Sequence, residues 1–284
     1  MNILAVNDDG IDAIGLLRLS EALQAAGKVY VCAPARQQSA SGHGITIGRP
    51  VYIEDVPFAA AEMAISMEGT PADCVKIGLE VYKDRGVEMD MVFSGFNHGM
   101  NLGTDTLYSG TVAAAVEGAL CGLPSAALSI SSNLSAHREP AHFGFAMRLA
   151  AAAARSPMFS ARFGDKNPRG PAARPGLGLD FIYRDHTILN INIPDLPDSE
   201  IRGVKAAPLS YREYDEWFKA REEDDGRVGY HYSGRPHVVG QAGAGESDII
   251  ANTMGFATIT PLQFDLTNRK LLEAVRAEWE HVVL

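Results

Sequence analysis

The sequence predicts an α/β fold with a mostly parallel sheet, on three observations. Short apolar runs alternate with stretches of helical period, the order strand, helix, strand repeats, and polar glycine-bearing loops recur after the apolar runs. Residues 2–6 (NILAV) read as a buried strand, and residues 15–26 (GLLRLSEALQAA) place apolar side chains at helical spacing until Gly27 stops them. Residues 28–33 (KVYVCA) are a second strand, and parallel neighbours need such a crossover between them. Thr70 and Pro71 suit the N-cap and first position of a helix over 71–84, which leads to a strand at 90–95 (DMVFSG). The next helix runs from Thr111 (TVAAAVEGAL) into a strand at 124–130 (PSAALSI). A helix near 139–155, strands at 187–194 and 255–262, and an amphipathic helix from about Thr267 to His281 complete the reading.

Two stretches break this rhythm. Residues 164–178 (GDKNPRGPAARPGLG) are rich in Gly, Pro and Arg and read as a loop insertion. Residues 205–240 carry Tyr211, Tyr214, Trp217, Phe218, Tyr230 and Tyr232 around the polar turn EEDDGR at 222–227, which suggests a long hairpin arm used in a subunit contact. A single domain over 1–284 is expected, since 284 residues at 46% apolar content suffice for one large core.

Lys and Arg total 25 against 35 Asp and Glu, so the formal net charge of -10 argues against a broad grip on duplex nucleic acid. An anionic substrate would need a metal, backbone N–H groups or a few Arg. Cys32, Cys74 and Cys121 form no C-x-x-C pair and read as inert core thiols. No signal peptide or membrane-length apolar stretch is visible, and a cytoplasmic location is expected.

In an open parallel sheet, ligands gather beyond the carboxyl ends of the strands. NDDG at 7–10, APARQQSASGHG at 33–44 and SGFNHGMNLGTDTLYSGT at 94–111 each follow a strand and would share that edge. Asp8 and Asp9 fit a turn and helix cap, or a hard-cation site in which the cation relieves their repulsion. For the second reading, Ser39 and Asn97 supply further oxygen donors from the neighbouring loops. Ser109, Gly110 and Thr111 precede an Ala-rich helix whose N-terminus could hold a phosphate, although Ser109 or Thr111 could equally be a plain N-cap. His43 and His98 are weaker candidates for proton transfer, and Arg36 for an anion contact. Gly10 to Gly15 imitates P-loop spacing, but Leu16 and Leu17 stand where Lys and Ser or Thr belong, and no G-x-G-x-x-G follows the first strand. ATP-driven and NAD-linked chemistry are unsupported.

These loops resemble the SurE family of survival-protein nucleotidases. The likeness rests on NDDGI at 7–11, AP-x-x-QQS at 33–39, GH-x-IT at 42–46, GTPADCV at 69–75, SG-x-N-x-G-x-N-x-G at 94–103, YSGTV-x-AA-x-EG at 108–118, N-x-NIP at 190–194 and ITPL at 259–262. It implies a Rossmann-like three-layer core with a projecting hairpin and a C-terminal segment used in a homodimer or homotetramer. It also implies hydrolysis of nucleoside 5′- or 3′-monophosphates with one divalent metal ion per subunit, Mg²⁺ or Mn²⁺. By position, Asp8, Asp9, Ser39 and Asn97 would be metal ligands, with Asp8 and Asp9 also catalytic, and Asn97, Asn101 and Ser109-Gly110-Thr111 would contact substrate. The chain departs from the family at Ala40-Ser41, Gly44, Ile14 and the arm turn EDDGRVGYHY.

Metal-assisted attack of water on a phosphomonoester is the mechanism these residues suggest. Polyphosphate or another phosphomonoester is the alternative substrate. A Mg²⁺-binding receiver domain is the alternative from another class, but it needs an acceptor Asp at the end of a central strand. Asp90 stands at the start of its strand, and Ser94-Gly95 at the end.

Overall fold

The computed structural model describes residues 1–131, 142–157, 186–215, 218–239 and 247–280. The expected insertion at 164–178 and Trp217 lie outside the described residues.

The chain begins β1 (Asn2–Val6), α1 (Ile14–Leu23) and β2 (Lys28–Pro34), then β3 (Ile53–Asp55), β4 (Met63–Met67) and α2 (Pro71–Asp84). β5 (Met91–His98), a 3₁₀ turn (Gly103–Leu107), α3 (Gly110–Leu120), β6 (Ser125–Ser131), α4 (Gly144–Ala154) and β7 (Ile188–Pro194) follow. The last third holds β8 (Val204–Ala206), β9 (Tyr211–Asp215), β10 (Phe218–Glu222), β11 (Val228–Tyr232) and β12 (Arg235–Val239), then α5 (Asp248–Thr253), β13 (Ala257–Leu262) and α6 (Arg269–Trp279).

Nine strands form one sheet in the order β3-β4-β2-β1-β5-β6-β7-β13-β8. The six from β4 to β7 are parallel, while β3 and β13 run against β4 and β7. The α/β class with a mostly parallel sheet is therefore the one the sequence predicts. From β1 the chain steps outward to β2 and β4, then returns to β5 on the other side of β1, making a switch point between β1 and β5.

Alternation along β1 builds the layers. Ile3 and Ala5 pack with Leu16, Leu19 and Leu23 of α1 and Ala146 and Ala150 of α4, whereas Leu4 and Val6 pack with Cys74, Val75 and Tyr82 of α2 and Ala114 of α3. At roughly 2 kcal/mol for each large apolar side chain buried, this two-sided core is the main stabilising term. The Tyr82 hydroxyl, deep in one layer, donates to the Val31 carbonyl at 2.5 Å, so its polar end is satisfied. Thr70 caps α2 as expected, accepting from the Asp73 N–H at 3.1 Å while Asp73 accepts from the Thr70 N–H at 2.9 Å, a reciprocal capping box.

The structure corrects three details. β5 does not stop at Ser94-Gly95 but continues through an irregular register between Ser94 and Asn97 to His98, because a bulge lets the strand re-pair with β6. Cys32 and Cys74 are buried, but Cys121 is exposed, since it is the C-cap of α3 where that helix leaves the core. β3, β4, β8 and α5 are absent from the sequence reading; β3 and β8 have three residues each and α5 six, too few for a periodic signal, and β4 is fixed as a strand by its pairing with β2 and β3.

The aromatic arm is a hairpin in two stages. β9 pairs antiparallel with β12, and β10 pairs antiparallel with β11 across the turn at 223–227, where Gly226 has φ +77°. No residue of α6 is buried.

Candidate active site

Asp8 and Asp9 leave the sheet at the end of β1, beside the switch point. Val6 is in register with Ser94, so the acidic pair comes to lie against the far end of β5. Gly10 has φ +104°, a conformation costly for a residue with a Cβ, and from there the Ile11 N–H donates to the Pro34 carbonyl at 2.8 Å. The turn thereby ties the acidic pair to the end of β2. Asn7 Nδ2 closes it by donating to the Gly10 carbonyl at 2.9 Å.

Each carboxylate is held by a different loop. Asp8 is buried, and its Oδ1 accepts from Thr111 Oγ1 at 2.5 Å while its Oδ2 accepts from the Thr111 N–H at 3.2 Å. The first turn of α3 therefore clamps Asp8 through one residue. Asp9 is partly exposed; its Oδ2 accepts from the His98 N–H at 2.9 Å and its Oδ1 from Gln37 Nε2 at 3.2 Å. Burial pushes the Asp8 carboxyl up to about 6, with the Asp9 charge adding to the rise and the Thr111 bonds opposing it. Burial also raises Asp9, against the pull of the His98 N–H. Among the described residues no Lys or Arg is a cause of either shift, and the His98 ring opposes the rise at Asp9.

Asn97 sits on the bulged end of β5, where its Nδ2 donates to the Gly99 carbonyl at 2.8 Å. That bond commits the amide nitrogen and leaves Oδ1 as the available acceptor. Ser39 is exposed on the loop after β2, a loop pinned beside Asp8 where the Gln38 N–H donates to the Asp8 carbonyl at 2.7 Å. Two carboxylates, an amide oxygen and a hydroxyl make a donor set suited to Mg²⁺ or Mn²⁺. Among the described residues, no group of three or more His, Cys, Asp and Glu side chains forms a metal cluster, so a softer nitrogen and sulfur site is not present there.

Ser109 is the N-cap of α3, its Oγ accepting from the Val112 N–H at 3.0 Å. Gly110 packs directly on Asp8: a Cβ there would lie 2.9 Å from Asp8 Cβ and 3.0 Å from Asp8 Oδ2. Only a glycine allows the helix N-terminus to approach the carboxylate so closely. Asn101 is tied to the sheet. It is buried, and its Nδ2 donates to Ser129 Oγ at 2.8 Å, its N–H to Asn192 Oδ1 at 2.8 Å, and its carbonyl accepts from Asn190 Nδ2 at 2.8 Å. Asn101 thus staples the site loop to β6 and β7. Arg36 is exposed.

His43 has a structural partner that the sequence did not reveal. Its Nε2 lies 2.8 Å from Glu117 Oε2, and Lys76 Nζ donates to Glu117 Oε1 at 2.6 Å. Glu117 is 4% exposed within the Ala-rich α3, and the His43 hydrogen bond together with Lys76 holds its carboxyl below the usual range. A cavity of about 430 Å³ lies beside them, lined also by Ile45, Leu120 and Cys121. Thr46 Oγ1 donates to Asp73 Oδ2 at 2.6 Å and Thr70 Oγ1 to the Gly44 carbonyl at 2.7 Å, so the loop bearing Ser39 is fastened to α2 and α3. One signal could have found this: a carboxylate in mid-helix among alanines.

The other end of the site loop is anchored to the arm base. Asp248 accepts from the Gly103 N–H at 2.7 Å and from the Ser210 N–H at 2.8 Å, while Asp105 pairs with Arg212 and accepts from the Tyr214 hydroxyl at 2.7 Å.

The family model described as "Survival protein SurE" matches residues 3–216. The chain belongs to the SurE family. A relative named 5'-nucleotidase SurE from Pelotomaculum thermopropionicum is 37% identical over 277 residues, covering 97% of this chain and 94% of its own. A second of that name, from Moorella thermoacetica, is 39% identical over 269 residues, covering 94% and 92%. The crystal structure of the Sure protein from Aquifex aeolicus aligns over 98% of this chain and 99% of its own, with a TM-score of 0.72 at 30% identity. All three alignments run nearly end to end, so the α3 loop, the β1 turn and the C-terminal segments fall inside the shared SurE architecture.

Proposed function

We propose that this SurE-family chain is a divalent-cation-dependent phosphomonoesterase acting on nucleoside 5′- and 3′-monophosphates. One observation carries the reading: two adjacent carboxylates are drawn into a partly buried edge of the sheet with no Lys or Arg among the described residues to offset them, and Asp8 lies directly under a helix N-terminus. Asp8, Asp9, Ser39 and Asn97 would hold the cation. Bound there, it would neutralise phosphoryl charge and lower the pKa of a water.

The chain's own residues do the positioning. Thr111 fixes both oxygens of Asp8, so the carboxylate meets its ligand in one orientation. The His98 N–H and Gln37 hold Asp9 at the more open side, where a carboxylate can also take a proton from the attacking water. The N-terminus of α3, capped by Ser109 and begun by Gly110, would add its dipole to the attraction for a phosphate. The names of the relatives favour a nucleotide as the phosphate donor. The arm, with Tyr230 72% and Phe218 57% exposed, is read as the surface for a second copy of the chain in a homodimer or homotetramer.

A phosphate-release screen over 5′- and 3′-mononucleotides, sugar phosphates and polyphosphate, with Mg²⁺, Mn²⁺ or EDTA, tests this. Release from mononucleotides with either cation, abolished by EDTA, is expected. Release that persists in EDTA, or from polyphosphate alone, contradicts it.

A further inference from the structure

The first strand of the arm is docked on the site loop along one face. Every second residue from Ser210 to Tyr214 turns toward the protein, as the period of an extended strand requires, and each of the three meets the 3₁₀ turn at 103–107. A Cβ on Gly103 would stand 2.8 Å from the Ser210 carbonyl oxygen, Thr104 Oγ1 donates to the Arg212 carbonyl at 2.7 Å, and the Tyr214 hydroxyl donates to Asp105 Oδ1 at 2.7 Å. Arg212 is the charged member of this face. Its side chain is 5% exposed and pairs with Asp105. A cation so enclosed depends on its counter-charge, because removing either partner leaves the other uncompensated. The pair therefore holds the turn and the arm base in one arrangement.

Asp105 is where that constraint enters the site. The Tyr108 N–H donates to the Asp105 carbonyl at 3.0 Å, and the Tyr108 carbonyl accepts from the Gly42 N–H at 3.0 Å. The next residue, Ser109, caps α3, and Thr111 holds Asp8. Backbone bonds thus lead from Asp105 both to the N-terminus of α3 and to the loop after β2.

We propose that Arg212, acting through Asp105, is a positioning residue for the reaction: it fixes the Ser109–Thr111 turn in the place that receives the phosphoryl group. This rests on the phosphomonoesterase reading above. Displacing that turn predicts that Arg212→Met raises both KM and the inhibition constant of orthophosphate about tenfold. Mn²⁺ affinity should change less than about threefold, because Asp8, Asp9 and Asn97 keep their own bonds. Asp105→Ala should repeat the effect, and the double variant should lose little more than either one, since both break a single link. Arg212 Nη1 makes the contact with Asp105, so Arg212→Lys, which keeps the charge, should restore most of the wild-type KM.

The experiment combines mononucleotide kinetics, orthophosphate inhibition and calorimetric titration of Mn²⁺ on the wild type and these variants, with Tyr82→Phe beside them. Tyr82→Phe loses a buried bond to the Val31 carbonyl and should melt lower with KM unchanged, which marks what lost stability alone does. Raised KM and weakened orthophosphate inhibition in Arg212→Met and Asp105→Ala, with no further loss in the double variant, are expected. Unchanged values in either folded variant overturn the proposal, as do effects that multiply in the double variant. Should Arg212→Met not fold, Asp105→Ala alone decides by the same readout. If the wild type with Mn²⁺ neither hydrolyses mononucleotides nor binds orthophosphate, the phosphomonoesterase reading fails and the Arg212 assignment with it. An active wild type with unaffected variants defeats only the Arg212 assignment.

Discussion

The edge of the sheet beyond β1 and the tip of the arm show opposite economies of polar and apolar groups. At the edge, buried polar groups are held from several directions at once: Asp8 by Thr111, Asn101 by Ser129, Asn190 and Asn192, and Glu117 by His43 and Lys76. At the tip, every residue of β10 is exposed, and large apolar side chains such as Val228 and Tyr230 face solvent. Preorganised polar groups suit chemistry on a small charged ligand, and exposed aromatic surface suits association. Substitutions should therefore separate the two regions by readout.

The largest effect is expected for Asp8→Asn. Loss of a charged cation ligand should lower kcat by about three orders of magnitude or more and remove the rise in melting temperature that Mn²⁺ gives the wild type. Without metal the sign reverses. The Asp8 carboxyl is raised to about 6 from its ordinary 3.8, so its contribution favours the fold at low pH and is lost as pH rises through 6. In EDTA at pH 7.5, Asp8→Asn should thus melt a few degrees above the wild type. Thermal scans with EDTA and with Mn²⁺ check both halves.

Thr111→Val comes next. It removes the 2.5 Å bond to Asp8 and keeps the branched shape, so kcat/KM should fall about 10- to 100-fold with the Mn²⁺ affinity weakened in parallel. A change confined to stability would separate Thr111 from the site. Glu117→Gln should act more mildly, raising KM by about three- to tenfold as the Ser39 loop loosens and costing about 1–3 kcal/mol. Because its partners hold Glu117 below its ordinary 4.5, their stabilisation is complete above that pH and fades as pH falls through the lowered value. A urea midpoint series from pH 3 to pH 7 should show a steeper acid fade in the wild type than in the variant. The smallest effect on catalysis belongs to Phe218→Ser with Tyr230→Ser at the arm tip. Turnover per chain should stay within about twofold while light scattering reports a smaller assembly. A large loss of turnover would show that the two regions are not separable.

Much of this was legible in the residues, and the reason differs by region. The parallel sheet could be read because β1, β2 and β5 hold unbroken apolar runs at 3–6, 29–33 and 91–93, as strands covered on both faces do. The three loops could be placed at one edge because parallel topology puts every strand end on the same side. The roles of single side chains were harder. Asn101 looks like any loop amide until the fold brings it under Asn190 and Asn192, ninety residues later in the chain. A separation of 74 residues likewise hides the His43–Glu117 pair, which depends on how the β2 loop lies over α3. β3 and β4 escaped notice because their pairing, not their period, makes them strands.

Anomalous diffraction from crystals of the Mn²⁺-loaded protein tests the central claim most directly. The account predicts one ion within about 2.2 Å of oxygens from Asp8, Asp9 and Asn97, with Ser39 adjacent and Thr111 still bonded to Asp8. An ion bound elsewhere, or no ion near the acidic pair at saturating Mn²⁺, would contradict it.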